Sequence, residues 1–188
     1  KAYSAANIKI DSKGVWLTAS EMAFCRAEGA LAGWSNMGGS AKDLYEEGVK
    51  LSFEQWGAGS ATAYLADNTS TEKNYVDPIS EYGGDVSAVS NITIKWDDSA
   101  TDEQKMERLI TQKWIAMFPN GQEGWSEIRR TGYPKVFPLA QSTDYSIQVA
   151  NRIPFDIDEA TNNKANYLKA VQMLKGNDDY ATKMWWQR

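Results

Sequence analysis

The sequence predicts a mainly all-α fold, built from tetratricopeptide-like helical hairpins with long irregular loops. Three observations carry that expectation. Apolar residues recur at helical spacing in several long stretches, opened by capping or acidic residues and mostly closed by Gly or Pro. The first two stretches are joined closely enough to make a hairpin about one tetratricopeptide unit long. Elsewhere, long runs of Asn, Thr, Ser, Asp, Gly and Pro exclude regular structure.

The first helix is expected from Thr18 to Trp34, with Thr18 and Glu21 spaced as a capping box. Its apolar stripe is Ala23, Ala27, Ala30, Leu31 and Trp34. After a turn at Gly38-Gly39, a second helix runs from Ser40 to Trp56, with Tyr45, Val49, Phe53 and Trp56 on one face and Gly57 and Gly59 ending it. Small residues of the first helix are expected to face bulky ones of the second. A short helix, Ala61 to Asp67, precedes a polar stretch over 68–91 broken by Pro78 and Gly83-Gly84. Loops this long in compact domains usually bind something or cover a surface. Ile92, Ile94 and Trp96 alternate with Thr93 and Lys95, the pattern of a short strand or extended segment.

A third major helix starts at Thr101, where Asp102 and Glu103 suit the positive end of its dipole. Met106, Ile110, Trp114 and Met117 mark its expected buried face. Pro119 and Gly121 break it, and a shorter helix follows over Gln122–Thr131. Pro134, Pro138 and Pro154 keep Gly132–Phe155 extended and looped. The last helix is expected over Glu159–Leu174, stopped by Lys175-Gly176-Asn177.

Composition bounds the chemistry. The 188 residues fit one domain, 1–188, with 42% hydrophobic and 24% charged residues. A net charge of -5, with Arg129-Arg130 the one adjacent basic pair, argues against nucleic acid as a partner. Cys25 is the single cysteine, so an internal disulfide or a multi-cysteine metal site is excluded, and its apolar helical setting predicts a buried thiol. The chain has no histidine, which removes the commonest general base and transition-metal ligand. Nothing in the composition calls for a cofactor. The aromatic content is high, with 8 Trp and 9 Tyr, and flat rings serve both cores and sugar stacking. No apolar run approaches the roughly 20 residues of a bilayer span. Lys1-Ala2-Tyr3-Ser4 has no signal pattern, so an exported or lipidated form is expected to carry signal and anchor upstream of this stretch.

Four segments carry a family resemblance. They are Glu21-Met22-Ala23-Phe24 through Ala27-Glu28-Gly29-Ala30-Leu31, and Leu44-Tyr45-Glu46-Glu47-Gly48-Val49 through Gln55-Trp56-Gly57. The most specific is Ile110-Thr111-Gln112-Lys113-Trp114-Ile115-Ala116-Met117-Phe118, running on to Glu123-Gly124-Trp125-Ser126-Glu127-Ile128-Arg129-Arg130-Thr131-Gly132-Tyr133-Pro134. The last is Arg152-Ile153-Pro154-Phe155 with the closing Thr182-Lys183-Met184-Trp185-Trp186. In order and spacing these resemble the C-terminal region of the SusD-like (SusD/RagB) outer-membrane nutrient-binding lipoproteins. One place departs: Asp156-Ile157-Asp158-Glu159 stands where the family continues with a proline and an acidic-aromatic pair.

The resemblance implies helical hairpins on one side and ligand-bearing loops on the other, with the N-terminal half of the fold absent. It also implies a non-catalytic role: capture of oligosaccharides at the bacterial cell surface and delivery to a SusC-like TonB-dependent outer-membrane transporter. Membrane attachment would be only through a lipid anchor outside this stretch. A second expectation makes this portion a scaffold that docks the transporter, with the ligand site in the missing half. The family's sugar contacts are not a fixed motif, so none is carried over to a numbered position.

Residue by residue, the 74–85 loop is the better ligand candidate. Tyr75 and Tyr82 lie among Asp77, Glu81, Asp85 and two glycines, able to offer stacking faces and hydroxyl-directed hydrogen bonds. Tyr75, Tyr82 and Asp85 are therefore the predicted ligand contacts; an ordinary solvated loop is the alternative. Trp114, Phe118, Trp125 and Tyr133 are expected in the core, with Arg129 or Arg130 paired to a carboxylate; a sugar platform is the alternative there. Asp97 and Asp98 are adjacent and would point to opposite faces of an extended chain, so capping of the next helix outweighs paired-carboxylate hydrolysis. Asn177-Asp178-Asp179 lacks calcium-loop spacing and reads as a polar turn. Of Trp185 and Trp186, at least one is expected to pack inward.

Overall fold

The computed structural model describes residues 5–6, 8–12, 14–78, 84–137 and 149–187. Among them the regular structure is entirely helical: α1 (Ala19–Leu31), α2 (Ala41–Trp56), α3 (Thr62–Ala66), α4 (Asp102–Ala116), α5 (Gly121–Thr131), α6 (Ile157–Asn162) and α7 (Lys164–Leu174). Among the described residues no helix is long and apolar enough to cross a membrane.

All the helices but α3 and α7 begin where a short polar side chain satisfies a backbone donor that has no partner in the first turn. Thr18 accepts from the Glu21 N–H, Ser40 from Asp43, Asn120 from Glu123 and Asp156 from Asp158. The reciprocal capping box forms at α4, where Thr101 accepts from the Gln104 N–H and Gln104 accepts from the Thr101 N–H. Gly57 and Gly132 end α2 and α5 with φ of 62° and 80°, a left-handed turn that costs glycine nothing.

α1 and α2 form an antiparallel hairpin, and α4 lies across both. The core holds Phe24, Leu44, Tyr45, Val49, Trp96, Leu109 and Ile110. Phe24 meets Tyr45 edge-on with centroids 6.1 Å apart, and Tyr45 tilts against Trp96 at 5.2 Å. The Tyr45 hydroxyl donates to the Ile94 carbonyl at 2.6 Å, and burial pushes the phenol well above its ordinary pKa. The two helices approach closely at Gly48, where a Cβ would sit 2.8 Å from Phe24 Cζ. The Ser20 hydroxyl donates to the Gly48 carbonyl at 2.7 Å across the same seam. At this contact the small residue is on α2 and the ring on α1, the reverse of the expected sense, while Ala23 and Ala27 of α1 are buried as small residues of its stripe.

Other expectations change with tertiary context. Residues 92–96 are extended but form no strand among the described residues; their order comes from Tyr45, from the Lys95 N–H bonded to the Asp67 carbonyl, and from the Arg108 guanidinium on Thr93. The expected last helix is two. Asn163 leaves helical geometry at φ -135°, and its amide binds Glu159 and Asn166 in place of a continuous ladder. Lys175, rather than the following glycine, takes the left-handed position at the end of α7. Cys25 is half-buried, and Trp34 and Trp56, placed on apolar stripes by spacing, are exposed.

The buried side of α4 is partly ionic. Lys113 Nζ lies 2.8 Å from Glu127 Oε1, and both side chains are sealed from solvent. Glu127 also accepts from Arg130, which forks onto Glu28 of α1 at 2.5 and 2.8 Å. Burial alone would raise the Glu127 carboxyl, but Arg130 and Lys113 outweigh it and hold it below the ordinary glutamate value. Burial alone would lower the Lys113 ammonium, and Glu127 outweighs that in turn, holding it above the ordinary lysine value. Glu107 joins the loop and the chain after α5 to α4, accepting from Ser90 at 2.6 Å and pairing with Lys135 at 2.9 Å.

Candidate functional site

The 68–91 loop is fastened at its base by its own side chains. Tyr75 and Val86 exchange backbone hydrogen bonds at 2.8 and 2.9 Å, an isolated antiparallel bridge. Asp85 accepts from the Asp77 N–H, Asn74 from Ala88, and Glu72 from both Val89 and Ser90. Of the predicted ligand contacts, Tyr75 and Asp85 are brought together on the two arms of this bridge. Tyr75 is half-buried with its ring 6.1 Å from Phe137. Asp85 is exposed, and one carboxylate oxygen already holds the loop. Tyr82 lies outside the described residues.

A concave surface lies elsewhere, at the break between α4 and α5. A groove of about 620 Å³ is lined by Trp114, Ile115, Phe118, Gly124, Trp125 and Ile128, among others. Its existence corrects the expectation that Trp114 and Phe118 are core residues: their exposures are 41% and 52%, and only Tyr133 of that set is buried. The cause lies in the turn at 117–120. It folds α5 back so that Gly124 faces the Trp114 ring, where a Cβ would come within 3.0 Å of the indole nitrogen. With Gly124 there the two segments stay close, and the outer faces of both helices open on one side. Trp56 extends the surface, tilted against Phe118 with centroids 6.0 Å apart.

Trp125 is the fixed element of the groove. Its indole N–H donates to the Ala150 carbonyl at 2.7 Å. The Arg129 guanidinium lies 4.0 Å from its ring centroid and 4.6 Å from that of Trp186, so two tryptophans flank one cation. Trp186 reaches this position because the terminal segment is tied to 150–152. The Asn151 N–H donates to Tyr180, its amide to Ala181, and Gln187 donates back to Asn151 at 3.0 Å. Arg152 adds an ion pair to Asp178 at 2.5 Å. Trp186 is 38% exposed and Trp185 91% exposed, so neither is a core plug. Arg130 has the carboxylate partners expected of one of the two arginines; Arg129 has the rings instead.

The remaining polar clusters do structural work. Asp97 accepts from the backbone and hydroxyl of Ser99, and Asp98 accepts from the Trp96 indole at 3.0 Å. Asp179 accepts from the Ala181 and Thr182 N–H groups, forming the expected polar turn. The Trp125–Arg129 spacing of four residues on one helix is a legible stacking signal. The addition of Trp186 has no local signal, because the two positions meet only through the tail.

The largely helical frame is shared with the chain's relatives. The sequence profile of the SusD-like family, described as Susd and RagB outer membrane lipoprotein, matches residues 1–187. The chain belongs to the SusD-like family. A SusD homologue from Bacteroides uniformis is 44% identical and superposes with a TM-score of 0.90, over 99% of this chain and 39% of its own. A second homologue, from Bacteroides thetaiotaomicron, is 43% identical with a TM-score of 0.90, over 100% of this chain and 41% of its own. A chitin-binding SusD homologue from Flavobacterium johnsoniae is 46% identical with a TM-score of 0.80, over 91% and 36%. No curated protein matches the sequence. This SusD-like chain therefore spans about two-fifths of the length of the structures it resembles.

Proposed function

We propose that this chain is the C-terminal part of a non-catalytic glycan-capture protein, held at the outer face of the bacterial outer membrane by a lipid anchor. It would hand oligosaccharide to a SusC-like TonB-dependent transporter. Family membership supports the class, and the chitin-binding homologue from Flavobacterium johnsoniae supports saccharide as the ligand. The observation that carries it for this chain is the aromatic groove: Trp114, Phe118 and Trp125 offer adjoining rings beside a roughly 620 Å³ hollow. Sugar C–H faces stack on such rings, and recognition by stacking plus a few hydrogen bonds gives dissociation constants of about micromolar to millimolar.

The loop at Tyr75, Tyr82 and Asp85 is the second proposed contact region, with Tyr75 and Asp85 at its base. The experiment is calorimetric titration of the intact protein with chitooligosaccharides and other neutral glycans, repeated with Trp114→Ala, Tyr75→Ala and Tyr82→Ala. A loss of about tenfold or more in Trp114→Ala, with circular dichroism unchanged, is the expected result. Loss confined to the tyrosine variants would shift the site to the loop. Binding unaffected in all three would leave this portion as scaffold and transporter-docking surface, the second reading.

A further inference from the structure

Among the described residues every arginine but one has a hydrogen-bond or ion-pair partner. Arg26 binds the Met37 carbonyl and approaches Glu47, Arg108 binds Thr93, Arg130 forks onto Glu28, and Arg152 pairs with Asp178. Arg129 has the Trp125 and Trp186 rings and no acceptor. Its Nε is sealed from solvent and makes no hydrogen bond. A guanidinium held this way keeps its charge and loses side-chain freedom. Its remaining hydrogen-bonding capacity is on the two terminal nitrogens, which form a planar pair of donors.

The surroundings make this a built position rather than a stray surface side chain. Trp125 is locked by its bond to Ala150, Trp186 by the Asn151–Gln187 tie, and the Arg152–Asp178 pair anchors the segment carrying both. Trp125 also lines the aromatic groove, so the stacked cation adjoins the proposed saccharide surface. The nearest sequence neighbour of like charge, Arg130, is neutralised by Glu28 and Glu127 and does not compete for an incoming anion.

We infer that Arg129, stacked between Trp125 and Trp186, is a subsite for an anionic group on a saccharide, a uronate carboxylate or a sulfate ester. The inference rests on the glycan-capture reading and narrows its ligand. Two parallel donors match the two oxygens of a carboxylate or two of a sulfate, and such charge-assisted pairs are shorter and stronger than neutral ones. A neutral hydroxyl would leave one donor unused. A pair of this kind is worth about tenfold or more in affinity.

The test compares tri-galacturonate and sulfated chondroitin oligosaccharides with neutral chitotriose and cellotriose on the intact protein. Affinity is read by calorimetry, and the Arg129 guanidinium directly by nitrogen-15 NMR. Anionic saccharides are expected to bind at least about tenfold more tightly than neutral ones and to shift the Arg129 signal. Arg129→Gln is expected to bring the anionic-to-neutral affinity ratio to about one, and Arg129→Lys to restore it only in part. If neutral saccharides bind and the Arg129 signal ignores anionic ones, the subsite is overturned and the capture reading stands. If the Arg129 signal moves with anionic saccharides and no neutral glycan binds, the subsite stands and capture of neutral glycans falls. No response to any saccharide overturns both. The wild-type NMR readout decides these outcomes even if a variant fails to fold.

Discussion

Lys113 and Trp114 are neighbours on α4 with opposite fates. The lysine, a residue type that belongs in water, is 3% exposed; the tryptophan, a residue type that belongs in cores, is 41% exposed. The difference separates two regions of the molecule. On the inner face of α4 the hairpin's Phe24, Leu44 and Tyr45 join Leu109 and Ile110 in one core, and α5 supplies Glu127 to receive the charge. On the outer face the chain turns at 117–120, and the rings of α4 and α5 line a groove instead of a core. Burial here follows partner geometry more than hydrophobicity. A charge goes inside when an opposite charge meets it, and a ring stays outside when the backbone leaves no second wall.

That contrast can be broken, and the largest effect is expected at the buried pair. Glu127→Ala strands the Lys113 charge and removes one partner of Arg130, at a cost of about 3–5 kcal/mol in urea unfolding. Loss of under 1 kcal/mol would mean that Lys113 reaches solvent and that the inner face is less closed than described.

Acid should weaken the same pair. The folded-state Glu127 carboxyl lies below its ordinary value, so its contribution is fully present above that value and is lost as pH falls through the folded one. Thermal stability should therefore decline below roughly pH 4, the usual carboxylate range. Glu21 works the other way, because burial raises its carboxyl and protonation favours the folded state. Melting curves between pH 3 and 7 should flatten on the acid side in Glu127→Gln; an unchanged slope would assign the acid sensitivity to other carboxylates.

A smaller effect is expected at the hairpin seam. Gly48→Ala gains helix propensity of about 1 kcal/mol but drives a methyl into the Phe24 ring. Overpacking of about 1–3 kcal/mol should win, leaving the variant destabilised. A stabilised variant would show that the ring yields easily. The smallest effect is at the α4 cap, where Thr101→Ala should cost about 1 kcal/mol and leave glycan affinity unchanged. A drop in affinity there would tie the groove to α4 fraying and join the two regions.

Helix positions were legible because they depend on local chemistry. Thr18, Ser40, Thr101 and Asn120 cap helices close to where periodicity begins, and Gly57 and Gly132 end them as left-handed turns. Core assignments succeeded for Ala23, Ala27, Tyr45, Val49 and Ile110, whose stripes face another helix along their length; the buried Phe24 was not on the expected stripe. They failed for Trp34, Trp56, Trp114 and Phe118, all at helix ends or just beyond. Just past α4 the buried Met117 still finds a neighbour and the exposed Phe118 does not, and periodicity carries no information about where the neighbour stops.

By itself the sequence determined the helical class, most helix limits, the absence of histidine chemistry and the SusD-like resemblance, since these reside in composition, short-range spacing and ordered motifs. Only the tertiary structure decided that Asp85 fastens the base of its loop, that Lys113 is buried and Trp114 open, and that Arg129 is flanked by Trp125 and Trp186. The physical reason is range. Capping and helix periodicity act over three or four residues, whereas the Arg129 stack joins positions 57 residues apart (186 minus 129) through hydrogen bonds that no local pattern encodes.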